Sequence, residues 1–107
     1  MVNKLEIESV IIVGTTICPF CTVAKDTAKR NGLNFEYKVI DRGEPADLLE
    51  ELGTPVSMEE AIEIVGRPFR TVPQIIVDGK YIGGSEEFNA LIEKLRLDGT
   101  DFSDIEI

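Results

Sequence analysis

Apolar and polar positions along the chain follow two rhythms. Ser9-Val10-Ile11-Ile12-Val13-Gly14 is a continuous β-branched run bounded by polar residues, the pattern of a buried strand. Asn34 to Ile40 alternates apolar and polar residues and predicts a second strand. Between them the spacing predicts a helix from the Pro19–Cys21 region to Asn31, with Val23, Ala24 and Ala28 inward and Lys25, Asp26, Lys29 and Arg30 outward. Asn31-Gly32 suits its end, and the cations of the final turn complement the helix dipole. Strand, helix, strand in this order is a βαβ unit with parallel strands.

Further along, Asp41-Arg42-Gly43 reads as a turn, Pro45 opens a short helix to about Leu52, and Gly53 ends it. Thr54-Pro55 then reads as a break before a second short helix carrying Ala61, Ile62 and Val65. Ser57 with Glu60 three places on has the capping-box spacing, and Gly66 followed by Pro68 closes that helix. Gln74 to Val77 and Lys80 to Ile82 predict a hairpin around Asp78-Gly79. Ser85 is expected to cap a last helix with Glu86 and Glu87 in its first turn and Phe88, Leu91, Ile92 and Leu95 on one face. The order β-α-β-(α-α)-β-β-α predicts an α/β domain: a four-stranded mixed sheet, a parallel βαβ joined to an antiparallel ββα, with helices on both faces.

The 107 residues suffice for one domain with one modest core, and no repeat or linker divides them. Asp98 to Ile107 is acidic with scattered Phe102, Ile105 and Ile107, and is expected to be a frayed, solvated tail. The net charge of -9, with no block of Lys or Arg, argues against binding to nucleic acid or to an anionic membrane. The apolar run Val10 to Val13 follows Glu6 and Glu8 and is far shorter than a signal-peptide core, so neither a secretion signal nor a membrane span is expected. A cytoplasmic protein is the resulting expectation.

Candidate chemistry concentrates in Cys18-Pro19-Phe20-Cys21, which holds both cysteines of the chain. A C-x-x-C pair between a strand and a helix start is a redox layout. Proline fits the first helical position, so Cys18 becomes the N-cap, its sulfur facing the free amides of Phe20 and Cys21. Those amides and the helix dipole favour an anion, which makes Cys18 the expected nucleophilic thiolate. Cys21, one turn further in, is the expected resolving thiol. A structural staple is disfavoured because disulfides are rare in a reducing compartment and so short a loop constrains the unfolded chain little. Histidine is absent, which excludes Cys-His nucleophile pairs and any Cys2His2 metal site, and no metal is expected.

Three motifs in order, Cys18-Pro19-Phe20-Cys21 with Lys25, then Arg70-Thr71-Val72-Pro73-Gln74-Ile75, then Gly83-Gly84 at the last helix, resemble a glutaredoxin across Val10 to Leu95. The resemblance implies a thioredoxin-like fold, a cis proline at Pro73 facing the cysteines, and glutathione as co-substrate. It places glutathione against Phe20, Lys25 and Arg70, along the main chain at Thr71, Val72 and Pro73, and at the helix start Gly84, Ser85 and Glu86. Free helix amides suit its γ-glutamyl carboxylate, and a strand-opening proline frees a neighbouring backbone to pair with an extended peptide. Thr15 belongs to the same implied set, but many relatives carry Lys or Arg there, so one cation for the glycyl carboxylate is missing. The segment from Ile40 to Thr71 also has two helices where compact relatives have one.

The implied activity is glutathione-dependent reduction of protein disulfides and protein-glutathione mixed disulfides by a monomer. Two alternatives stand beside it. One is a thioredoxin-like electron donor, for example to ribonucleotide reductase, reduced by a flavoprotein; Phe20 and Gly83-Gly84 tilt against it. The other is an iron-sulfur cluster bridged between two chains through Cys18 and glutathione, which Pro19 disfavours by stiffening the site.

Overall fold

In the computed structural model residues 7–99 are described. Five strands form one mixed sheet in the order β3-β2-β1-β4-β5. β1 (Val10–Gly14) lies between β2 (Phe35–Ile40), its parallel partner, and β4 (Gln74–Val77), which runs antiparallel to it. The crossover from β1 to β2 is α1 (Pro19–Arg30), whose twelve residues complete the expected βαβ unit. β5 (Lys80–Gly83) pairs antiparallel with β4 through the Asp78-Gly79 turn, where both residues have positive φ (51° and 81°) as a two-residue hairpin turn requires. Asp78 Oδ1 also accepts the main-chain amides of Glu8 and Ser9 at 2.9 and 2.8 Å, tying the segment before β1 to the far hairpin.

Strand alternation divides the core in two. Val10, Ile12, Tyr37, Val39, Ile75 and Val77 point to one face, where they meet Ala24 and Ala28 of α1 and Phe88 and Ile92 of α4 (Ser85–Gly99). Val13, Ile40 and Ile76 point to the other face and are covered by Ala61 and Val65 of α3 (Met58–Val65). Leu49 of α2 (Ala46–Leu52) joins the first cluster. The helices therefore cover both faces, and the fold is thioredoxin-like. Burying a side chain such as Phe88 or Ile92, both essentially inaccessible, contributes about 1.5–3 kcal/mol each.

Three expectations are corrected. The sheet has five strands, because Thr54–Val56 forms β3, parallel to β2 with Val39 opposite Pro55. Thr54-Pro55 read as a break because proline cannot donate to a ladder; at a sheet edge that donor is dispensable, and Val56 is buried against α3. Val23 is exposed, since the buried stripe of α1 runs through Cys21, Ala24, Thr27 and Ala28 and leaves Val23 on the outer side. Gly84 caps α4 in place of Ser85: its carbonyl accepts the Phe88 amide at 3.0 Å, and Glu87 Oε1 accepts the Gly84 amide at 2.8 Å. That is the glutamate half of a capping box.

Other caps are as read. Ser57 and Glu60 exchange both capping-box bonds, at 3.0 and 2.8 Å, and Gly66 closes α3 in the left-handed region at φ 90°. Removing such a cap typically costs about 0.5–2 kcal/mol. α4 continues through Asp98 to Gly99, and the rest of the expected tail, with Phe102, Ile105 and Ile107, lies outside the described residues.

Candidate active site

Pro19 is the first residue of α1 and Cys18 its N-cap, in an extended conformation (φ -156°, ψ 97°). The Cys21 amide donates to Cys18 Sγ at 3.1 Å, so the sulfur occupies the place where an N-cap oxygen would sit. Of the two amides expected to face that sulfur, Cys21 makes the bond. Cys18 and Cys21 are joined as a disulfide with their Cα atoms 5.2 Å apart. The two sulfurs differ in access. Cys18 is half-buried at the helix tip, whereas Cys21 is 1 % exposed beneath it. An incoming thiolate reaches Cys18 and expels Cys21, and in the reverse direction Cys18 attacks while Cys21 resolves.

The loop before Cys18 is held from two sides. Thr15 is buried, its hydroxyl bonded to the Ile17 carbonyl at 3.3 Å, and its own carbonyl accepts the Tyr37 hydroxyl at 2.7 Å. Burial pushes the Tyr37 phenol up to about 12. Lys25 lies over the Tyr37 ring at 4.2 Å, a cation–π contact. Its ammonium is held below the usual lysine value by burial first and by Lys29 second, with Asp26 opposing. On the other side Thr16 donates to Glu44 Oε2 at 3.1 Å while Glu44 Oε1 accepts the Arg42 amide at 2.9 Å. The Arg42 amide is the main cause that keeps the Glu44 carboxyl below its usual range, so this tether is fully present above that range and is lost as pH falls below it, through the lowered value of the folded state.

Gly14 ends β1 under these groups, and a Cβ there would run into the Tyr37 hydroxyl and Cys21 Sγ. No other residue fits without displacing the loop or the inner sulfur.

A cleft of about 220 Å³ opens beside Phe20, which lies between the two cysteines in sequence. Phe20 forms one wall, Thr71, Val72 and the cis residue Pro73 form the floor, and Gly84, Ser85, Glu86 and Glu87 form the far wall at the start of α4. Seven of the positions implied by the sequence resemblance therefore come together around one cleft. Thr15, Lys25 and Arg70 are not among its lining residues: Thr15 is buried in the loop, Lys25 stands on Tyr37, and Arg70 is exposed. Ile17 and Phe20 form an exposed apolar rim around Cys18, at 84 % and 64 % exposure.

Tyr37, Glu44 and Tyr81 bond to residues around the site and carry no local signal of that role, while Glu87 and Gln74 stand within sequence features whose side-chain bonds only the structure shows. Tyr37 was legible as an inward position of an alternating strand, but nothing local announced its hydroxyl's partner. Glu87 follows Gly84 by the three places of a capping box, a signal masked by Ser85, a stronger cap residue at the next position. Among the described residues no helix is long and apolar enough to cross a membrane.

A thioredoxin-like sheet carrying a reducible Cys-x-x-Cys pair at a helix N-terminus defines a thiol–disulfide oxidoreductase. The glutaredoxin family model matches residues 10–82. Glutaredoxin of Haemophilus influenzae is 34% identical over 88 residues, 79% of this chain and 91% of that protein. Glutaredoxin 1 of Escherichia coli is 33% identical over 88 residues, covering 78% and 92%. The solution structure of reduced Escherichia coli glutaredoxin superposes with a TM-score of 0.56 at 32% identity, covering 80% of this chain and 94% of that one. Glutaredoxin 1 of Francisella tularensis gives 0.55 at 28% identity, covering 80% and 93%. The chain belongs to the glutaredoxin family.

Proposed function

We propose that the protein is a glutathione-disulfide oxidoreductase of the dithiol type, acting on protein-glutathione mixed disulfides and on protein disulfides. The observation that carries this reading is the cleft, which joins the Cys18 helix tip to the Thr71–Pro73 floor and the α4 start. A tripeptide disulfide-bonded to Cys18 would lie along that floor. Its γ-glutamyl carboxylate would meet the helix amides near Ser85 and Glu86, where the dipole favours an anion. Its glycyl carboxylate would turn toward Arg70 and Lys25.

Both reactions balance without a metal or flavin. With a mixed disulfide, Cys18 thiolate bonds to the glutathionyl sulfur and the protein thiolate leaves; a second glutathione then attacks Cys18-glutathione and departs as glutathione disulfide. With a protein disulfide, Cys18 forms a mixed disulfide with one substrate sulfur and Cys21 displaces the substrate as a dithiol. The resulting Cys18–Cys21 disulfide is reduced by two glutathiones. On this reading the protein works as a monomer in the cytoplasm, with disulfide-bearing enzymes, ribonucleotide reductase among them, as its substrates.

The test is the reduction rate of a glutathione mixed disulfide coupled to glutathione reductase, set beside the rate with thioredoxin reductase. Faster turnover with glutathione is expected; turnover supported by thioredoxin reductase alone would overturn the reading.

A further inference from the structure

Gln74 opens β4 on the sheet face opposite α1, and it is 5 % exposed. A buried primary amide carries two donors and an acceptor that all need partners. Here Nε2 lies 2.7 Å from the Thr71 carbonyl oxygen and 3.2 Å from Thr71 Oγ1, and Oε1 lies 2.6 Å from the Tyr81 hydroxyl. A carbonyl oxygen can only accept, so the nitrogen must face Thr71 and the oxygen must face Tyr81. The phenol is then necessarily the donor. Arg67 stands over the Tyr81 ring at 4.9 Å and helps hold it, and Tyr81 pairs with Ile76 across the hairpin.

We propose that Tyr81 is a positioning residue for the substrate cleft: by donating to Gln74 Oε1 it anchors the buried amide whose nitrogen holds Thr71, and so keeps the Thr71–Val72 floor in the shape that receives the substrate chain. The proposal rests on the reading that this cleft binds the glutathionyl or peptide part of the reacting disulfide. Without the hydroxyl, Gln74 Oε1 loses its donor in a buried place, and an amide that turns to find another partner loosens its hold on the Thr71 carbonyl. The floor then samples orientations that binding must narrow, a cost that appears in substrate affinity. Cys18 caps α1, which covers the sheet face opposite Gln74, and its chemistry should be untouched.

Tyr81→Phe keeps the ring, its place beneath Arg67 and its packing, and removes only the donor. With the glutathione mixed disulfide of a short peptide and with a small disulfide-bonded protein as probes, KM should rise by about two- to tenfold, the size of one net hydrogen bond. kcat and the pH dependence of Cys18 alkylation should be those of the unsubstituted protein. In parallel, the Gln74 side-chain amide protons, followed by nitrogen-resolved NMR, should exchange with solvent much faster in Tyr81→Phe. Gln74→Met should give a comparable rise in KM, and adding Tyr81→Phe to it should add almost nothing, since both act through one contact.

Unchanged KM for both probes in Tyr81→Phe would overturn the proposal. So would a fall in kcat together with a shifted alkylation profile, which marks general damage to the site. Should Gln74→Met not fold, the Tyr81→Phe kinetics and the Gln74 exchange decide alone. If the unsubstituted protein ignores the glutathione mixed disulfide but turns over the protein disulfide with the KM effect intact, the glutathione reading falls and the role of Tyr81 stands.

Discussion

The Tyr37 hydroxyl donates a 2.7 Å hydrogen bond to the carbonyl of Thr15, linking the centre of β2 to the loop that presents Cys18. The ring fills the space beneath Lys25, and the hydroxyl occupies the ground that a side chain at position 14 would need. One buried tyrosine therefore sets the height of the active-site loop over the sheet.

Tyr37→Phe should cost about 1–3 kcal/mol near neutral pH, because the Thr15 carbonyl is left buried and unpaired. For a domain of this size that is roughly 4–8 °C in Tm per kcal/mol. Because burial raises the Tyr37 phenol from 10.0 to about 12, the folded state holds this proton more tightly than the unfolded chain. Its contribution is complete below about pH 10 and is lost as pH rises toward 12. The gap in stability between the unsubstituted protein and Tyr37→Phe should narrow across that window. Lys25, lowered by burial, runs in the opposite sense but is common to both proteins. Chemical denaturation at pH 7, 10 and 11.5 measures this directly, and a gap that widened with pH would contradict it.

Gly14→Ala should destabilise the fold by about 1–3 kcal/mol, the usual cost of an extra methyl in a filled space. Its Cβ is driven against the Tyr37 hydroxyl and the Cys21 sulfur, so disulfide turnover should fall along with Tm. Activity lost together with stability is the expected result; full stability and activity would mean that the loop yields freely.

The cysteines should behave asymmetrically. Cys18→Ser should abolish all turnover, since Cys18 is the accessible sulfur. Cys21→Ser should lose reduction of protein disulfides and keep turnover of glutathione mixed disulfides, where free glutathione performs the second displacement. Loss of both activities in Cys21→Ser would exclude the monothiol route. Alkylation against pH should also find Cys18 well below the ordinary thiol value of about 8.5, within the range of roughly 3.5–7.5 common at helix starts.

Arg70→Ala should raise the KM for glutathione by up to about fivefold at low salt and by less at high salt, as expected for an exposed ion pair worth about 0.2–1 kcal/mol. Thr15→Lys, at the position where the sequence resemblance implies a missing cation, should not repair this. Thr15 is 8 % exposed, so a lysine there would distort the loop or bury its charge. Kinetics at two ionic strengths beside thermal melts separate the two effects: a Thr15→Lys protein that melted normally and showed a lowered KM would contradict the burial of this position.

Features whose causes act over a few residues were legible in the sequence alone. Proline at the first helical position makes Cys18 a cap, Ser57 and Glu60 meet because a helix turn brings them together, and Asp78-Gly79 forms a tight hairpin because both residues tolerate positive φ. The β-branched runs marked which segments are strands, and three short motifs carried the family. Whatever depends on partners far along the chain was settled by the packing. Pro55 sits in a strand because Ile40 and Lys38 offer β3 an edge to pair with, which no local pattern around a proline encodes. Tyr37 reaches Thr15 across 22 positions and Glu44 reaches Thr16 across 28, distances closed only by the register of β1 against β2 and the loop that follows. Val23 faces solvent because the rotation of α1 on the sheet is set by Cys21, Ala24 and Ala28 packing under α4, and a three-dimensional fit of small side chains, unlike a cap or a turn, has no signature within a single helical turn.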